Sequence, residues 1–411
     1  MNIKKTLTLT ALIFAGECVF ILPFLVSRIF RSTFLRVFEI NNLELGTAFS
    51  VYGIVAMISY FTGGPLADRL SPKKLMAFSL LITAAGGIVM ASIPSLTTLT
   101  ILYGFWGLST IFLFWAAFIK VTRVIGGIEA QGRSFGAVDA GRGLLAAILA
   151  SISVLLFNYF LTVDVEIASK EDFATALGKI ILVFSALTTF SALLVWLIIP
   201  NRDDSTQKGQ KLSLQGIKMI INKRSVWMQA LIVLCSYVGY KCTDDFSLYA
   251  SEVLNYNDIE AAKVATITFW IRPFAAILAG YLGDRFMHSR MITIGFGIMA
   301  LGALAMSTGI LPPNIGTLSV FTIAIISVGI YGLRGLYFAL LEETKVSLLY
   351  TGSAVGFISL IGYTPDVFMG PVMGYVLDSS PGITGHQHLF AILVGFSLLG
   401  LFTANKLQRM K

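Results

Sequence analysis

The sequence predicts an all-α membrane protein with twelve transmembrane helices. Three observations predict this fold class: the hydropathy of the chain, the distribution of its basic residues, and a short motif that occurs twice. Of the 411 residues, 56% are hydrophobic and only 13% are charged, and the mean hydropathy is +0.82. Apolar stretches of about 20 residues, the length that spans a bilayer as a helix, recur along the chain. A large soluble domain is therefore excluded.

The predicted helices are separated by short polar or proline-containing turns. The first apolar run follows two lysines, as in a secretory signal, but Glu17 interrupts it and no small-residue cleavage site follows. We therefore expect this run to be retained as a membrane helix. The twelve predicted spans are residues 7–28, 46–66, 75–93, 98–119, 134–158, 177–199, 226–250, 262–282, 291–310, 317–340, 352–377 and 388–405.

Basic residues are concentrated on one side of the predicted membrane. If both termini lie on that side, it holds 20 of the 30 Lys and Arg residues, and the opposite side holds 6. Basic loops are retained in the cytoplasm, so both termini are predicted to be cytoplasmic. The same asymmetry explains the net charge of +8 without a nucleic-acid partner. The absence of an N-x-S/T sequon and the short tails favour a bacterial inner membrane.

The longest predicted cytoplasmic connection lies at the middle of the chain. It divides six predicted spans from six, so we predict an N-terminal unit at 1–199, a linker at 200–225 and a C-terminal unit at 226–411. The linker stretch LSLQGIKMII is amphipathic enough to form a short helix at the membrane surface.

A short motif occurs once in each half. The loop after the second predicted span reads GPLADRLSPKKL, and the loop after the eighth reads GYLGDRFMHSRM. The two copies align at a constant offset of 216 residues. The matched positions are Gly64, Leu66, Asp68, Arg69 and Lys74 with Gly280, Leu282, Asp284, Arg285 and Arg290. Equivalent motifs at equivalent places in two halves indicate an internal repeat.

This duplicated loop resembles the signature G-x-L-a-D-r-x-G-r-[KR] of the major facilitator superfamily. The resemblance implies two pseudo-symmetric six-helix bundles that rock about a central site to give alternating access. It also implies a secondary transporter that is not an enzyme. In that family the motif residues close the cytoplasmic side in the outward-facing state. By resemblance this gate consists of Asp68, Arg69, Lys74, Asp284 and Arg285.

Departures from the family pattern leave the subfamily open. Ser71 and Met287 replace the second glycine of the signature in the two copies. Tyr103 stands in the fourth span where many relatives have arginine, and the fifth span lacks the Gly-Pro motif of drug/proton antiporters. The signatures of sugar porters are also absent.

Three arginines are predicted near mid-depth in three different spans: Arg142, Arg272 and Arg334. A charge inside the bilayer is costly, so each is a candidate for a functional site. Arginine stays charged and binds carboxylate or phosphate with two hydrogen bonds. We therefore predict that the three bind an anionic organic substrate. The alternative is a set of structural ion pairs, of which Asp139 and Arg142, spaced i,i+3, would be one.

Glu17 and Asp366 are the candidates for proton coupling, because each is deep in its span with no charged residue one turn away. A carboxyl that exchanges water for an arginine neighbour changes its proton affinity between states.

The stretch GYKCTDDF places Lys241, Asp244 and Asp245 in the outer half of the seventh span, where the lysine can pair with either carboxylate. We predict a coupling element or gate on the periplasmic side; the alternative is an early helix end at the water interface. Arg28 and the nearby Arg31 and Arg36 are expected either to attract anions to the mouth or to form an amphipathic surface segment.

The predicted function is proton-coupled transport of a small organic anion. The alternatives are an organophosphate/phosphate-type exchanger without proton coupling and, from another class, a membrane sensor. No motif of a metalloprotease, serine hydrolase or ATP-binding loop occurs, so we expect no catalytic residues and no cofactor. Three cysteines without metal-ligand spacing predict packing residues and no metal site: Cys18, Cys235 and Cys242. The expected partners are the substrate, protons and the lipid bilayer, and we expect a monomer.

Overall fold

The regular structure of the chain is helical throughout the described residues. Eleven helical segments are long and apolar enough to cross a membrane, by length and composition alone. The protein is therefore a multi-pass membrane protein, as its hydropathy predicts. The computed structural model describes residues 3–126, 131–200, 221–312, 315–343 and 351–410.

In the first half, helix α1 consists of Ile3–Phe20, a π-helical turn at Ile21–Leu25, and Val26–Ile29. Helix α5 is built similarly, from Leu96–Gly107, the π-helical segment Leu108–Trp115, and Ala116–Gly126. The other helices are α2 (Arg31–Phe38), α3 (Asn42–Arg69), α4 (Pro72–Ala91), α6 (Gln131–Phe160) and α7 (Lys170–Ile198).

The second half contains two spans that are divided into shorter helices. Its helices are α8 (Arg224–Cys242), α9 (Phe246–Glu252), α10 (Asp258–Phe286), α11 (His288–Ser307), α12 (Gly316–Leu336), α13 (Leu340–Glu343), α14 (Thr351–Gly362), α15 (Pro365–Ser379) and α16 (Ile383–Gln408).

The seventh predicted span, 226–250, is interrupted in the structure. A 3₁₀ turn at Thr243–Asp245 separates α8 from α9. The hydroxyl of Thr243 donates to the carbonyl of Tyr240 at 2.7 Å, a local bond that competes with regular helix geometry. The interrupted segment is not among the eleven long apolar helices, and the count of twelve spans stays a prediction.

Buried apolar side chains form separate cores in the two halves. One cluster contains only residues between Val226 and Leu407. Two further clusters belong to the first half, and among the described buried residues Ala262 and Phe269 join them from the second. The predicted unit boundaries stay predictions. Most of the linker 200–225 and of its predicted surface helix lies outside the described residues.

The two halves approach to backbone contact where α3 begins and α15 ends. A Cβ atom on Gly46 would lie 2.1 Å from the carbonyl oxygen of Gly370, and one on Gly374 would lie 2.4 Å from that of Asn42. Only glycine allows this approach, because any side chain would force the helices apart. The distribution of basic residues predicts that this end faces away from the cytoplasm. We call it the outer end and the opposite one the cytoplasmic end.

Candidate functional site

A cavity lies between the two halves of the chain. It contains about 950 Å³ of space free of protein atoms, part of it continuous with solvent. Nine of its nineteen lining residues are aromatic, and the π-helical parts of α1 and α5 contribute four of the nineteen. The lining residues are Glu17, Phe20, Phe24, Leu25, Arg28, Tyr52, Ala56, Tyr60, Ile111, Trp115, Arg142, Tyr237, Tyr240, Lys241, Phe269, Arg272, Arg334, Tyr363 and Asp366.

Glu17 brings two of the predicted arginines together at the cytoplasmic side of the cavity. Its carboxylate lies 3.4 Å from Nε of Arg142 and 3.9 Å from Nη1 of Arg272. Asp139 also contacts both, at 3.9 Å from Arg142 and 3.6 Å from Arg272. Arg142 and Glu17 belong to the first half and Arg272 to the second, so these contacts bridge the halves. One oxygen of Glu17 is buried without a hydrogen-bond partner.

Arg334 has no such counterion. None of the described carboxylates lies within 4.0 Å of its guanidinium group, and its Nη1 is buried without a hydrogen-bond partner. The group instead lies over aromatic rings, with its Cζ 3.7 Å from the ring centre of Tyr240 and 5.7 Å from that of Tyr237. A ring face attracts a cation but does not neutralise its charge.

A second group of charges lies at the outer side of the cavity. Arg28 in α1 forms a buried ion pair with Asp244, across the two halves. Lys241 lies 3.3 Å from Asp244 and 3.5 Å from Asp366. Asp366 also accepts a hydrogen bond of 3.0 Å from the hydroxyl of Tyr237. Both predicted proton-coupling carboxylates, this one and Glu17, are thus paired with cations from other helices.

The two groups leave a surplus of positive charge around the cavity. The cations are Arg28, Arg142, Lys241, Arg272 and Arg334, and the carboxylates in contact with them are Glu17, Asp139, Asp244 and Asp366. The five cations meet four carboxylates among the described residues, and the unmatched one is Arg334.

Asp245 does not share the cavity with its neighbours Lys241 and Asp244. Its carboxylate is buried on the other side of the 3₁₀ turn, 2.8 Å from Nδ1 of His386 in α16. Successive residues of a 3₁₀ turn point in directions about 120° apart, since the turn has 3.0 residues. The structure therefore divides the predicted three-residue gate between two sites.

The expectation of a surface role is wrong for two of the three outer arginines, whereas Arg36 is exposed. Arg28 and Arg31 are buried, with 4% and 2% of their surfaces exposed. Arg31 donates two hydrogen bonds to the side chain of Asn42, and Arg36 lies 2.5 Å from Asp258 across the two halves. Arg28 follows Glu17 by eleven residues, close to three helical turns. In a regular helix this spacing places Arg28 on the same face as Glu17, so the sequence does contain a signal for its position.

Of the predicted cytoplasmic gate residues whose side chains the structure describes, none forms an ion pair across the halves. Arg69, Lys74 and Arg285 are exposed and form no ion pair within the described part of the chain. The side chain of Asp284 is 83% exposed and lies 3.3 Å from His288 of its own loop. The side chain of Asp68 lies outside the described residues.

A family model for the Major Facilitator Superfamily matches residues 7–363. The chain belongs to this superfamily. Members of the family are transporters, so the protein is a transporter rather than an enzyme. The family that the duplicated loop predicts is therefore confirmed.

Relatives extend over nearly the whole chain. "Inner membrane protein YqcE" of Escherichia coli (strain K12) is 24% identical, covering 97% of this chain and 93% of its own. The "Glycerol-3-phosphate transporter" of Bacillus subtilis (strain 168) is 25% identical, covering 85% and 81%. Among solved structures, the nucleoside transporter NupG superposes with a TM-score of 0.74 at 16% identity, covering all of both chains. This last likeness shows the superfamily fold.

Proposed function

We propose that this superfamily member carries a small organic anion by alternating access, with Arg334 as the main contact of the anion. The observation that supports this most is the guanidinium of Arg334, which faces a cavity between the halves and has no carboxylate partner among the described residues. A buried cation without a counterion is costly, and a visiting anion removes that cost. The nearby aromatic rings suit the apolar or ring-bearing body of an organic anion.

Arg142 and Arg272 complete the proposed site, because each can exchange the carboxylate of Glu17 for the bound anion. In the structure Glu17 and Asp139 together neutralise both arginines. An anion that binds these arginines competes with Glu17, and a carboxylate released from two cations in a buried place gains affinity for a proton. This exchange would couple the binding of the anion to the uptake of a proton. Asp366, which is paired with Lys241, is the second candidate for such coupling.

A second candidate function is the exchange of organophosphates without protons. The B. subtilis relative named as a glycerol-3-phosphate transporter supports it, since the alignment covers 85% of this chain. Arginine clusters suit phosphate as well as carboxylate, because guanidinium groups bind either with two parallel hydrogen bonds.

The first experiment identifies the substrate. Purified protein is screened by thermal shift against organic phosphates, carboxylates and sugar acids, and each stabilising compound is then tested for uptake in proteoliposomes. Arg334→Lys and Arg334→Gln are compared with Arg290→Lys, an exposed arginine at the cytoplasmic end. A hydrogen bond to a charged group contributes about 1.5–3 kcal/mol, so uptake at low substrate concentration should fall roughly 10- to 150-fold in both Arg334 variants. Unchanged uptake in these variants and in Arg142→Lys and Arg272→Lys would refute the proposal.

The second experiment separates the two candidates. Uptake is measured with and without an imposed pH gradient, and counterflow of labelled substrate is measured at equal pH. Proton coupling predicts that the gradient drives accumulation and that Glu17→Gln abolishes this while sparing counterflow. Exchange without protons predicts that the gradient has no effect in the parent protein.

A further inference from the structure

A histidine and two carboxylates form a buried cluster that the proposed transport site does not use. His386 in α16 is fully buried, with Nδ1 2.8 Å from Oδ2 of Asp245 and Nε2 3.2 Å from Oε2 of Glu252. Asp245 is the last residue of the 3₁₀ turn, and Glu252 is the last residue of α9, which follows it. None of the three residues lines the cavity between the halves.

The geometry of this cluster requires a bound proton. A neutral imidazole has one N–H donor, and an ionised carboxylate only accepts. Two ionised carboxylates can therefore both be hydrogen-bonded to His386 only when the ring carries protons on both nitrogens. The second oxygen of Asp245 is buried without a hydrogen-bond partner, so loss of that proton would leave this carboxylate still less satisfied.

The surroundings offer no other cation to this cluster. Within the described part of the chain, neither Asp245 nor Glu252 has an ion pair with lysine or arginine. The ring of Tyr249 meets His386 edge-on at 5.3 Å, and its hydroxyl donates to Ser319 of α12. The buried residues of α15 are apolar or glycine, and those of α11 are too except Ser289 at its start. Two carboxylates on neighbouring segments have other partners: Asp378 of α15 accepts hydrogen bonds from the first turn of α3, and Asp244 pairs with Arg28 and Lys241.

The three residues extend from the outer surface toward the contact between the halves. The side chain of Glu252 is 37% exposed, whereas those of His386 and Asp245 are fully buried. The residue next to Asp245 is Asp244, whose carboxylate holds Arg28 of the other half. Solvent at the outer end thus reaches the cluster through Glu252, and the cluster adjoins the ion pair that joins the halves.

We propose that His386, Asp245 and Glu252 bind one proton from the outer side, and that this proton fixes the break between α8 and α9 in the shape that presents Asp244 to Arg28. The bound form is an imidazolium that donates to both carboxylates. Outer acidity then favours closure of the outer end. The proton site itself is independent of the proposed function. Only the role of this proton as a coupling ion rests on that function.

The proton itself is tested without substrate. Protein with isotope-labelled histidine is examined by NMR in detergent at about pH 7.5, where an exposed histidine is mostly neutral. We expect the ring of His386 to be doubly protonated at this pH. Assignments come from His386→Gln and His388→Gln. Asp245→Asn should make His386 neutral. The amide can donate a hydrogen bond to Nδ1, so that nitrogen no longer needs a proton of its own. A neutral His386 in the parent protein would overturn the proton site.

The coupling role is tested with proteoliposomes and glycerol 3-phosphate as the probe anion, or another anion that passes the thermal-shift screen. We expect acid at the outer side to stimulate uptake in the parent and in His388→Gln, and to have no effect in His386→Gln, which retains counterflow. Equal stimulation in both variants would overturn the coupling role. If the parent transports none of the anions, the proposed function fails, whereas the NMR result still decides the proton site.

Discussion

The outer and cytoplasmic ends of the protein hold their charges in opposite ways. At the outer end, three carboxylates of the second half, Asp244, Asp258 and Asp378, contact the first half. Asp378, for example, accepts a hydrogen bond of 2.7 Å from a backbone N–H in the first turn of α3. At the cytoplasmic end, Asp284 and Arg285 of the duplicated loop are exposed, and their ion-pair and ring contacts among the described residues are with His288 and Phe286 beside them in the chain.

Among the described residues, the ion pairs and hydrogen bonds between the halves lie around the cavity and at the outer end. This asymmetry is the one expected of an inward-facing arrangement. The family resemblance implies that the duplicated loop closes the cytoplasmic side in the outward-facing state. Its residues are therefore expected to form no contacts between the halves here. Four predictions, from the largest effect to the smallest, test this comparison.

The largest effect is expected from the buried ion pair at the outer end. Asp244→Asn leaves Arg28 buried without its counterion, which should cost about 3–5 kcal/mol of stability. Thermal unfolding of the purified protein measures this as a lower midpoint. The matched control is Asp284→Asn at the cytoplasmic end, where an exposed carboxylate should change stability by at most about 0.5 kcal/mol. Equal midpoints for the two variants would contradict the asymmetry.

The close approach of α3 and α15 should be the next most sensitive feature. Gly46→Ala inserts a Cβ 2.1 Å from a backbone oxygen, and overpacking of this kind costs about 1–3 kcal/mol. We expect the outer end to open, seen as a longer distance between spin labels at Val163→Cys and Ile310→Cys.

Gly280→Ala and Gly395→Ala are the controls, because each has open space around its Cβ. Neither should change the label distance. Gly280→Ala should still reduce transport if its loop packs in the outward-facing state, whereas Gly395→Ala should not. A label distance that lengthens in all three variants would sink the interpretation.

A smaller effect is expected from single hydrogen bonds across the outer end. The hydroxyl of buried Thr33 donates to Asp258 at 2.6 Å, between the halves. Thr33→Val keeps the shape and removes the donor, which should shift the equilibrium toward outer opening by about 1 kcal/mol. The same labels measure it. Thr47→Val, whose hydroxyl bonds only within α3, should have no effect on the distance.

The smallest effect is expected from an exposed ion pair at the same end. Lys170 donates to Glu39 and lowers the pKa of that carboxyl, which is exposed. Solvent screens such pairs. Because the pKa is lowered on folding, any stabilisation is present at neutral pH and is lost as the pH falls through the lowered pKa. Lys170→Gln should therefore match the parent in unfolding midpoint, even at neutral pH. A clear loss that vanishes on acidification would show that exposed pairs also hold the outer end.

The sequence by itself determined the class of protein and the family. Hydropathy is a local property, so most of the spans could be predicted. The seventh span was wrongly predicted as one continuous helix, because its 3₁₀ turn leaves no mark in hydropathy. The cost of burying charge also made Arg142, Arg272 and Arg334 conspicuous, and all three line the cavity between the halves. The duplicated loop could be found by comparing the two halves of the sequence with each other. These features depend on neighbouring residues or on composition, and the family match bears out the fold that they imply.

Only the tertiary structure decided which charges meet. Arg28 and Asp244 are 216 residues apart, and nothing local in either segment indicates the partner. Asp244 and Asp245 are chemically identical neighbours, yet one faces a guanidinium group and the other a histidine, because a 3₁₀ turn points them apart. The missing counterion of Arg334 is likewise a property of packed helices. Pairing depends on distances in space, and the fold alone sets these for residues distant in the chain.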